Sequence, residues 1–323
     1  MEETKPFVSF IIPVYNLPWE LLHNCLKSIL ALSLRPFERE IIVVDDGSDD
    51  FPLSKLTALG EDIIYVRQQN GGLSASRNMG LRVATGRFLQ FVDGDDMLLQ
   101  APYEHALDLL RYQPHCDMVL FDFTKGKDPS SHVYDDHGPM AGVELMRKEN
   151  IHGSACGYVF SRDMLGSLRF TRGIFHEDEE FTPLLLLRAE AVFSTNAQAY
   201  LYRQRDSSIM TEPSVRHRLR RLNDARSVIV RLKHKSDTMP PEAYFALQRR
   251  IAQLTMDYIY NVIVMTRSMH FLNRQLEYLR RKGLFPLPNT DYTTKYTWFR
   301  RMTNSRVGRA ILITSLPLMN QEK

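Results

Sequence analysis

Residues 87–96 read Arg-Phe-Leu-Gln-Phe-Val-Asp-Gly-Asp-Asp, an apolar segment that runs directly into three carboxylates. The apolar part predicts a buried strand that ends at the acidic part. Because alternate residues of an extended chain point to the same side, Asp93 and Asp95 can face one point, while Gly94 allows close approach to the backbone. Carboxylates so placed are typical ligands of Mg²⁺ or Mn²⁺. The alternative is a polar turn that ends a strand.

The same succession of apolar strand and polar loop occurs twice before this segment. Phe7–Ile12, ended by Pro13, leads into Tyr15-Asn16, and Glu40–Val44 leads into Asp45-Asp46. Residues at helical spacing between the strands predict alternating helices, and therefore an α/β fold with a mostly parallel sheet covered by helices on both faces. Ligands of such sheets bind beyond the carboxyl ends of the strands, so we expect the three loops to converge on one crevice.

Charge divides the chain into two parts. Residues 1–215 hold 20 Lys and Arg against 31 Asp and Glu, whereas Arg216–Arg309 hold 20 against 6, a net charge of +14. We therefore predict an α/β domain over residues 1–212 and a basic helical appendage over 213–323. Within the appendage, Pro240-Pro241 predicts a break between two helices.

Three further patterns bear on the fold and on the class of protein. The polar segment Thr124–Pro139 predicts an exposed loop. No apolar run approaches the ~20 residues that span a bilayer. Cys25, Cys116 and Cys156 are spaced in no disulfide or zinc pattern. We expect a protein of the reducing cytoplasm.

Five motifs, in this order, resemble those of the family 2 glycosyltransferases, which have a GT-A nucleotide-diphospho-sugar-binding domain. They are Val8–Asn16, Ile42–Ser48, Gly71–Gly80, Asp93–Asp95 and Glu177-Asp178. The resemblance covers about Phe7 to Met210. It implies a Rossmann-like GT-A fold and an inverting transferase that uses Mn²⁺ or Mg²⁺. The expected donor is a nucleoside-diphosphate sugar, with a UDP-sugar expected ahead of the others. The expected acceptor is a saccharide or a lipid-linked molecule in the biosynthesis of a bacterial surface polysaccharide.

The resemblance also assigns nucleotide-binding residues. Pro13, Val14 and Tyr15 would form the walls of the base pocket, with Tyr15 stacking on the base. Asp46, at a strand end, is predicted to accept a hydrogen bond from a base ring N–H. Asp45 either supports Asp46 or contacts the ribose.

Charged residues are predicted around the diphosphate, where negative charge develops as the sugar leaves. Asp95 would hold the metal, with Asp93 as second ligand or ribose contact. Arg77, near a helix start, would reach the diphosphate, or would pair with a surface carboxylate instead. Arg203 and Arg205 resemble a family segment that closes over the phosphates; the alternative is a basic surface loop.

Inverting transfer needs a carboxylate that takes the proton of the acceptor hydroxyl. Asp178 is the predicted base, and repulsion from Glu177, Glu179 and Glu180 would raise its pKa. The alternative is an ordinary acidic helix N-terminus. Relatives often carry Trp near Cys156, so this chain departs from the family on the acceptor side.

The basic appendage predicts an anionic partner. No nucleic-acid-binding motif is present, so nucleic acid is not expected. Tyr296–Met302 and the following apolar residues, interspersed with arginines, suit a helix on an anionic membrane surface, on the inner face of the cell membrane. The alternative is a helical appendage whose arginines face water.

Two other functions remain open from the sequence. A sugar nucleotidyltransferase has a similar sheet, but needs a glycine-rich basic loop where this chain has Val14–Pro18. A non-catalytic protein that binds a nucleotide sugar or a lipid is the second, and Asp95 and Asp178 argue against it.

Overall fold

The structure is a computed structural model, and the residues it describes are 5–60, 62–126, 133–203 and 214–319. The chain divides into two compact units. The first is Met1–Leu145 with His152–Ser208, and the second is Met146–Ile151 with Ile209–Lys323. The domain boundary predicted at residue 212 lies outside the described residues.

One mixed sheet is the centre of the first unit. Within the described ranges its nine strands are β1 (Val8–Val14), β2 (Arg39–Asp45), β3 (Ile63–Arg67), β4 (Phe88–Phe91), β5 (Met97–Leu98), β6 (Met118–Thr124), β7 (Asp136–Met140), β8 (Tyr158–Ser161) and β9 (Val192–Leu201). The order is β3-β2-β1-β4-β8-β6-β9-β5, and β7 pairs with β9. Strands β3, β2, β1 and β4 are parallel, β8 is antiparallel to both neighbours, and β6 and β9 are parallel. The predicted α/β fold is confirmed, and its parallel part lies mainly in the first four strands of the order.

Six helices precede β9 in the described chain. They are α1 (Trp19–Leu30), α2 (Leu53–Thr57), α3 (Leu73–Val83), α4 (Gln100–Tyr112), α5 (Gly142–Lys148) and α6 (Glu177–Leu186). In α1 the buried residues Leu22, Cys25, Leu26 and Ile29 follow helical spacing, so one face of the helix packs into the core. Strands β1 and β2 are buried along almost their whole length, as expected for strands covered on both faces.

Two details of the first unit differ from the prediction. Strand β1 does not end before Pro13 but continues to Val14, paired with β2. Its pairing with β4 ends at Ile11, so the absence of an N–H in Pro13 removes no hydrogen bond to β4. The predicted loop Thr124–Pro139 instead begins with the end of β6 and ends in β7, while residues 127–132 lie outside the described ranges. Strand β7 is largely exposed, so its polar sequence carried no strand pattern.

The second unit is helical. Its described helices are α7 (Val215–Ser236), α8 (Pro241–Thr266), α9 (Met269–Arg281), α10 (Thr294–Asn304) and α11 (Arg306–Met319). The part of the appendage that was predicted as two helices, with a break at Pro240-Pro241, forms the three helices α7, α8 and α9. The second break occurs because Arg267 adopts a left-handed conformation and Ser268 caps α9. No helix in the described part of the chain is both long and apolar enough to span a bilayer.

Candidate active site

The carboxyl ends of β1, β2 and β4 lie at one edge of the sheet, and the loops that follow them are in contact. The Asp46 N–H donates to the Val14 carbonyl at 2.9 Å, and the Asn16 N–H donates to Ser48 Oγ at 2.8 Å. A Cβ at Gly94 would lie 3.0 Å from Val14 Cγ1, closer than carbon atoms ordinarily pack. The three loops therefore meet, and Gly94 permits the close contact.

The residues assigned to the base pocket lie at the end of β1. Pro13 and Val14 are buried, whereas Tyr15 is 53% exposed. The ring of Tyr15 is thus accessible to a planar ligand beside a fixed strand end.

Asp45 is fully buried, and protein groups occupy both of its carboxylate oxygens. Oδ2 accepts hydrogen bonds from Tyr65 Oη at 2.8 Å and Arg67 Nη1 at 3.1 Å, and Oδ1 accepts one from the Ser48 N–H at 2.9 Å. These bonds support the loop after β2, and a contact of Asp45 with the ribose stays a prediction.

Asp46 binds the glycine-rich loop that precedes α3. Its Oδ1 accepts hydrogen bonds from Gln68 Nε2 at 2.6 Å and the Gly71 N–H at 3.0 Å, and its Oδ2 accepts one from the Gly72 N–H at 2.7 Å. Gly72 has a φ of +82°, a conformation that favours glycine. Asp46 therefore fixes the start of α3, and its contact with a nucleotide base stays a prediction.

Arg77 of α3 is buried between two carboxylates from distant parts of the sequence. Its Nη2 donates to Asp93 Oδ1 at 3.0 Å and its Nη1 to Glu177 Oε1 at 2.8 Å. Its guanidinium carbon lies 5.4 Å from the ring centroid of Phe170. Burial acts to lower the pKa of Arg77, but the two carboxylates outweigh it and the pKa is raised. Arg77 thus joins the acidic loop to α6, and a contact with the diphosphate stays a prediction.

The acidic loop is held by Tyr200 and Arg203 at the end of β9. Tyr200 Oη donates to Asp96 Oδ2 at 2.8 Å and accepts from the Asp93 N–H at 3.1 Å. The Arg203 N–H donates to Asp96 Oδ1 at 2.8 Å, and Arg203 Nε donates to the Asp95 carbonyl. Burial, followed by repulsion from Asp93, raises the pKa of Asp96 to about 7. Arg203 therefore lies at the predicted metal loop, where it binds the backbone of that loop.

Asp178, the predicted base, lies in the first turn of α6 and is partly exposed. Its Oδ1 accepts the Glu179 N–H at 2.9 Å. Loss of surrounding water raises the pKa of Asp178 to about 8, with repulsion from Glu177 and Glu179 adding to the shift and Arg77 opposing it. The sequence predicted the repulsion but not the larger effect of burial.

Several residues that shape the site were not assigned from the sequence. Asp96 and Tyr200 anchor the acidic loop, and Phe170 packs against Arg77. Asp96 was within the acidic motif, whereas Tyr200 and Phe170 lie far from any motif and became visible only in the fold. Arg205 lies outside the described residues.

The carboxylates of the acidic loop suit a cation that takes most of its ligands from water and substrate. Among the described residues, no group of three or more His, Cys, Asp or Glu is arranged to hold a metal. The side chain of Asp93 is 36% exposed, and within the described chain its Oδ2 receives no hydrogen bond. Mg²⁺ is usually bound by one or two protein carboxylates together with substrate phosphates and water, so Asp93 and Asp95 fit such an ion.

Comparison with known proteins matches the first half of the chain, up to the acidic motif and beyond it to residue 166, to a family. Residues 9–166 match the model of Glycosyl transferase family 2. Glycosyltransferase GlyA of Streptococcus pneumoniae serotype 4 is 28% identical over 62% of this chain and 31% of its own length. The minor teichoic acid biosynthesis protein GgaB of Bacillus subtilis is 26% identical over 61% of this chain and 23% of its own length. The chain thus spans less than a third of either relative.

Solved structures share the fold. Residues 1–349 of S. aureus TarS, in complex with UDP-GlcNAc, align with a TM-score of 0.66 and 18% identity over 99% of this chain and 92% of that one. The mannosyltransferase PcManGT from Pyrobaculum calidifontis, in complex with GDP-Man and Mn²⁺, aligns with a TM-score of 0.59 and 16% identity over 98% and 88%. Residues 9–166 therefore match the domain of glycosyltransferase family 2, and the chain has the GT-A fold.

Proposed function

We propose that the protein is an inverting, metal-dependent glycosyltransferase that moves a sugar from a nucleoside-diphosphate sugar to a saccharide or lipid-linked acceptor of a surface polysaccharide. The observation that carries the proposal is the buried Arg77, which pairs with both Asp93 and Glu177. Through this pairing the predicted metal loop and the helix of Asp178 belong to one site. The match to GlyA supports the reaction class, and the match to GgaB, a minor teichoic acid biosynthesis protein, supports a role in polymer biosynthesis. The UDP-GlcNAc bound to TarS supports the donor class.

Asp93 and Asp95 are the residues that would hold Mg²⁺ or Mn²⁺. The ion, when bound, would neutralise negative charge on the leaving diphosphate. The Mn²⁺ in the PcManGT complex supports this proposal.

Asp178 would act as the base of a single displacement. The acceptor oxygen forms a bond to the anomeric carbon of the donor sugar, the bond from that carbon to the diphosphate oxygen breaks, and the hydroxyl proton passes to Asp178. A carboxylate with a pKa raised to about 8 accepts a proton more readily than an ordinary aspartate.

The test separates donor binding from transfer. Thermal shift with Mn²⁺ against UDP-, GDP- and dTDP-sugars identifies the donor, and product formation on a candidate acceptor then measures transfer. Asp178→Asn should keep donor binding and lose transfer, whereas Asp163→Asn, which changes an exposed carboxylate of the same unit, should keep both. Transfer at the normal rate by Asp178→Asn would remove the base assignment.

We also propose that the second unit contacts the anionic inner face of the cell membrane. Exposed apolar and basic residues alternate on α10 and α11: Lys295, Trp298, Arg301, Arg306, Val307 and Ile311. Such a surface suits the headgroup region, where aromatic rings insert and arginines meet anionic lipid. Trp298→Ser/Ile311→Ser should abolish pelleting with anionic vesicles at low salt. Equal pelleting of this variant and the unaltered chain would refute the contact.

A further inference from the structure

An open groove in the first unit is lined by three arginines. Arg82, Arg169 and Arg172 surround it together with Asn78 and Phe170, and its volume is about 370 Å³. None of these arginines belongs to the site described above.

The walls of the groove are fixed by hydrogen bonds. Asn78 Nδ2 donates to the Phe170 carbonyl at 2.9 Å, and the Phe170 N–H donates to Asn78 Oδ1 at 2.9 Å. Arg169 Nη1 donates to the carbonyls of Gly166 at 3.0 Å and Leu168 at 2.7 Å. The groove therefore exists before any ligand binds, which reduces the entropy lost on binding.

The three arginines have no carboxylate partner in the part of the chain that the structure describes. Within the described residues none of them forms an ion pair, although residues 1–215 contain more acidic than basic side chains. Arg39 and Arg67 of the same unit do pair with carboxylates. Uncompensated cations around one concavity raise the local positive potential, and guanidinium groups match the oxygens of phosphate.

The groove adjoins the predicted catalytic site. Asn78 follows Arg77 in α3, and the guanidinium carbon of Arg77 lies 5.4 Å from the ring centroid of Phe170. The ring of Phe170 stacks on Phe181 of α6, the helix of Asp178, with centroids 3.9 Å apart. Phe170 thus lines the groove and also lies beside Arg77, the partner of the two carboxylates.

We propose that this groove binds a phosphate group of the acceptor, so that the acceptor is a phosphate-bearing chain rather than a neutral sugar. The proposal rests on the transferase function, because it identifies the class of acceptor for that reaction. It assigns Arg82, Arg169 and Arg172 as binding residues, and Asn78 as the residue that positions the Phe170 segment.

Calorimetric titration with a synthetic glycerol phosphate hexamer tests the proposal. Two of the three arginines are replaced in Arg82→Gln/Arg172→Gln, and the affinity for the hexamer should fall about tenfold for each arginine that donates to a phosphate. The matched control is Arg216→Gln/Arg218→Gln, which removes the same charge from exposed positions of the second unit and should keep the affinity within about twofold. A neutral glycerol polymer should not compete.

The outcomes separate the sources of phosphate. Displacement of the hexamer by UDP would overturn the proposal, since the groove would then take the diphosphate of the donor. Unchanged affinity in Arg82→Gln/Arg172→Gln, or an equal loss in the control, would overturn it as well. If Arg82→Gln/Arg172→Gln loses affinity for the hexamer but the unaltered chain binds no nucleotide sugar, the result would support the phosphate site and refute the transferase function.

Discussion

Replacement of Arg77 by methionine removes the cation that two carboxylates share. Methionine keeps most of the side-chain length, and its sulfur packs well against aromatic rings such as Phe91 and Phe170, which lie around the guanidinium. The variant therefore isolates the charge from the packing.

The expected cost follows from the burial of each pair. The side chains of Arg77 and Glu177 are 4% and 9% exposed, so their pair is buried, and removal of one partner of a buried pair costs about 3–5 kcal/mol. The side chain of Asp93 is 36% exposed, so water screens its charge after the partner is removed. The loss of this second pair therefore adds little to the cost in free energy of unfolding. We expect Arg77→Met to lower the free energy of unfolding by about 3 kcal/mol.

Urea unfolding followed by tryptophan fluorescence can report on the first unit alone. The chain has two tryptophans, of which Trp19 lies in the first unit and Trp298 in the second. In a Trp298→Phe background, the emission of Trp19 gives the free energy of unfolding by linear extrapolation.

Two further variants decide whether charge is the cause. Arg77→Met/Glu177→Gln should recover about 1 kcal/mol, because it also removes the stranded carboxylate. Arg82→Met replaces an exposed arginine of the same helix that forms no ion pair with the described residues, and it should change stability by less than about 0.5 kcal/mol. A loss below about 1 kcal/mol in Arg77→Met, or no recovery in the double variant, would refute the reasoning.

The remaining predictions concern pH, the glycine loop and the acidic loop. Because the pKa of Asp178 is raised to about 8, the transfer rate should rise with pH through that value. Because of this raised pKa, Asp178 holds a proton in the native state between about pH 4 and 8 that it lacks in the unfolded state. The free energy of unfolding should therefore fall as pH rises through this range, and urea unfolding of Asp178→Asn should lack this pH dependence. Asp46→Ala removes the acceptor of three hydrogen bonds and should cost about 3 kcal/mol in urea unfolding. Gly94→Ala places a Cβ 3.0 Å from Val14 Cγ1 and should cost about 1–3 kcal/mol, with weaker donor binding in thermal shift; an unaltered midpoint would contradict the close contact.

The sequence predicted the sheet well where strands are buried on both faces. Strands β1, β2 and β4 are mainly apolar and are followed by polar residues, and this pattern depends only on local sequence. The prediction from sequence failed for β7, because this strand is largely exposed and its mainly polar residues show no alternation of apolar side chains. It failed also at Arg267, where a left-handed residue ends α8 without glycine or proline to mark the break.

The candidate site was predictable by position but not by partner. The motifs located Asp45 and Asp46 at the end of β2, yet Oδ2 of Asp45 is bound by Tyr65 and Arg67 on the neighbouring strand. Arg77 was expected at a diphosphate or a surface carboxylate, and its partner Glu177 lies 100 residues away in the sequence. Contacts of this range depend on how the elements assemble, which local periodicity does not encode.

Helix α3 carries an implication for how two substrates would influence each other. Asp46 holds Gly72, the residue before its first turn, at the carboxyl end of β2, and the helix itself bears Arg77, Asn78 and Arg82. One helix thus connects the proposed donor site with the proposed acceptor groove. If donor binding shifts this helix, the affinities for donor and acceptor must change by an identical factor, whichever is added first.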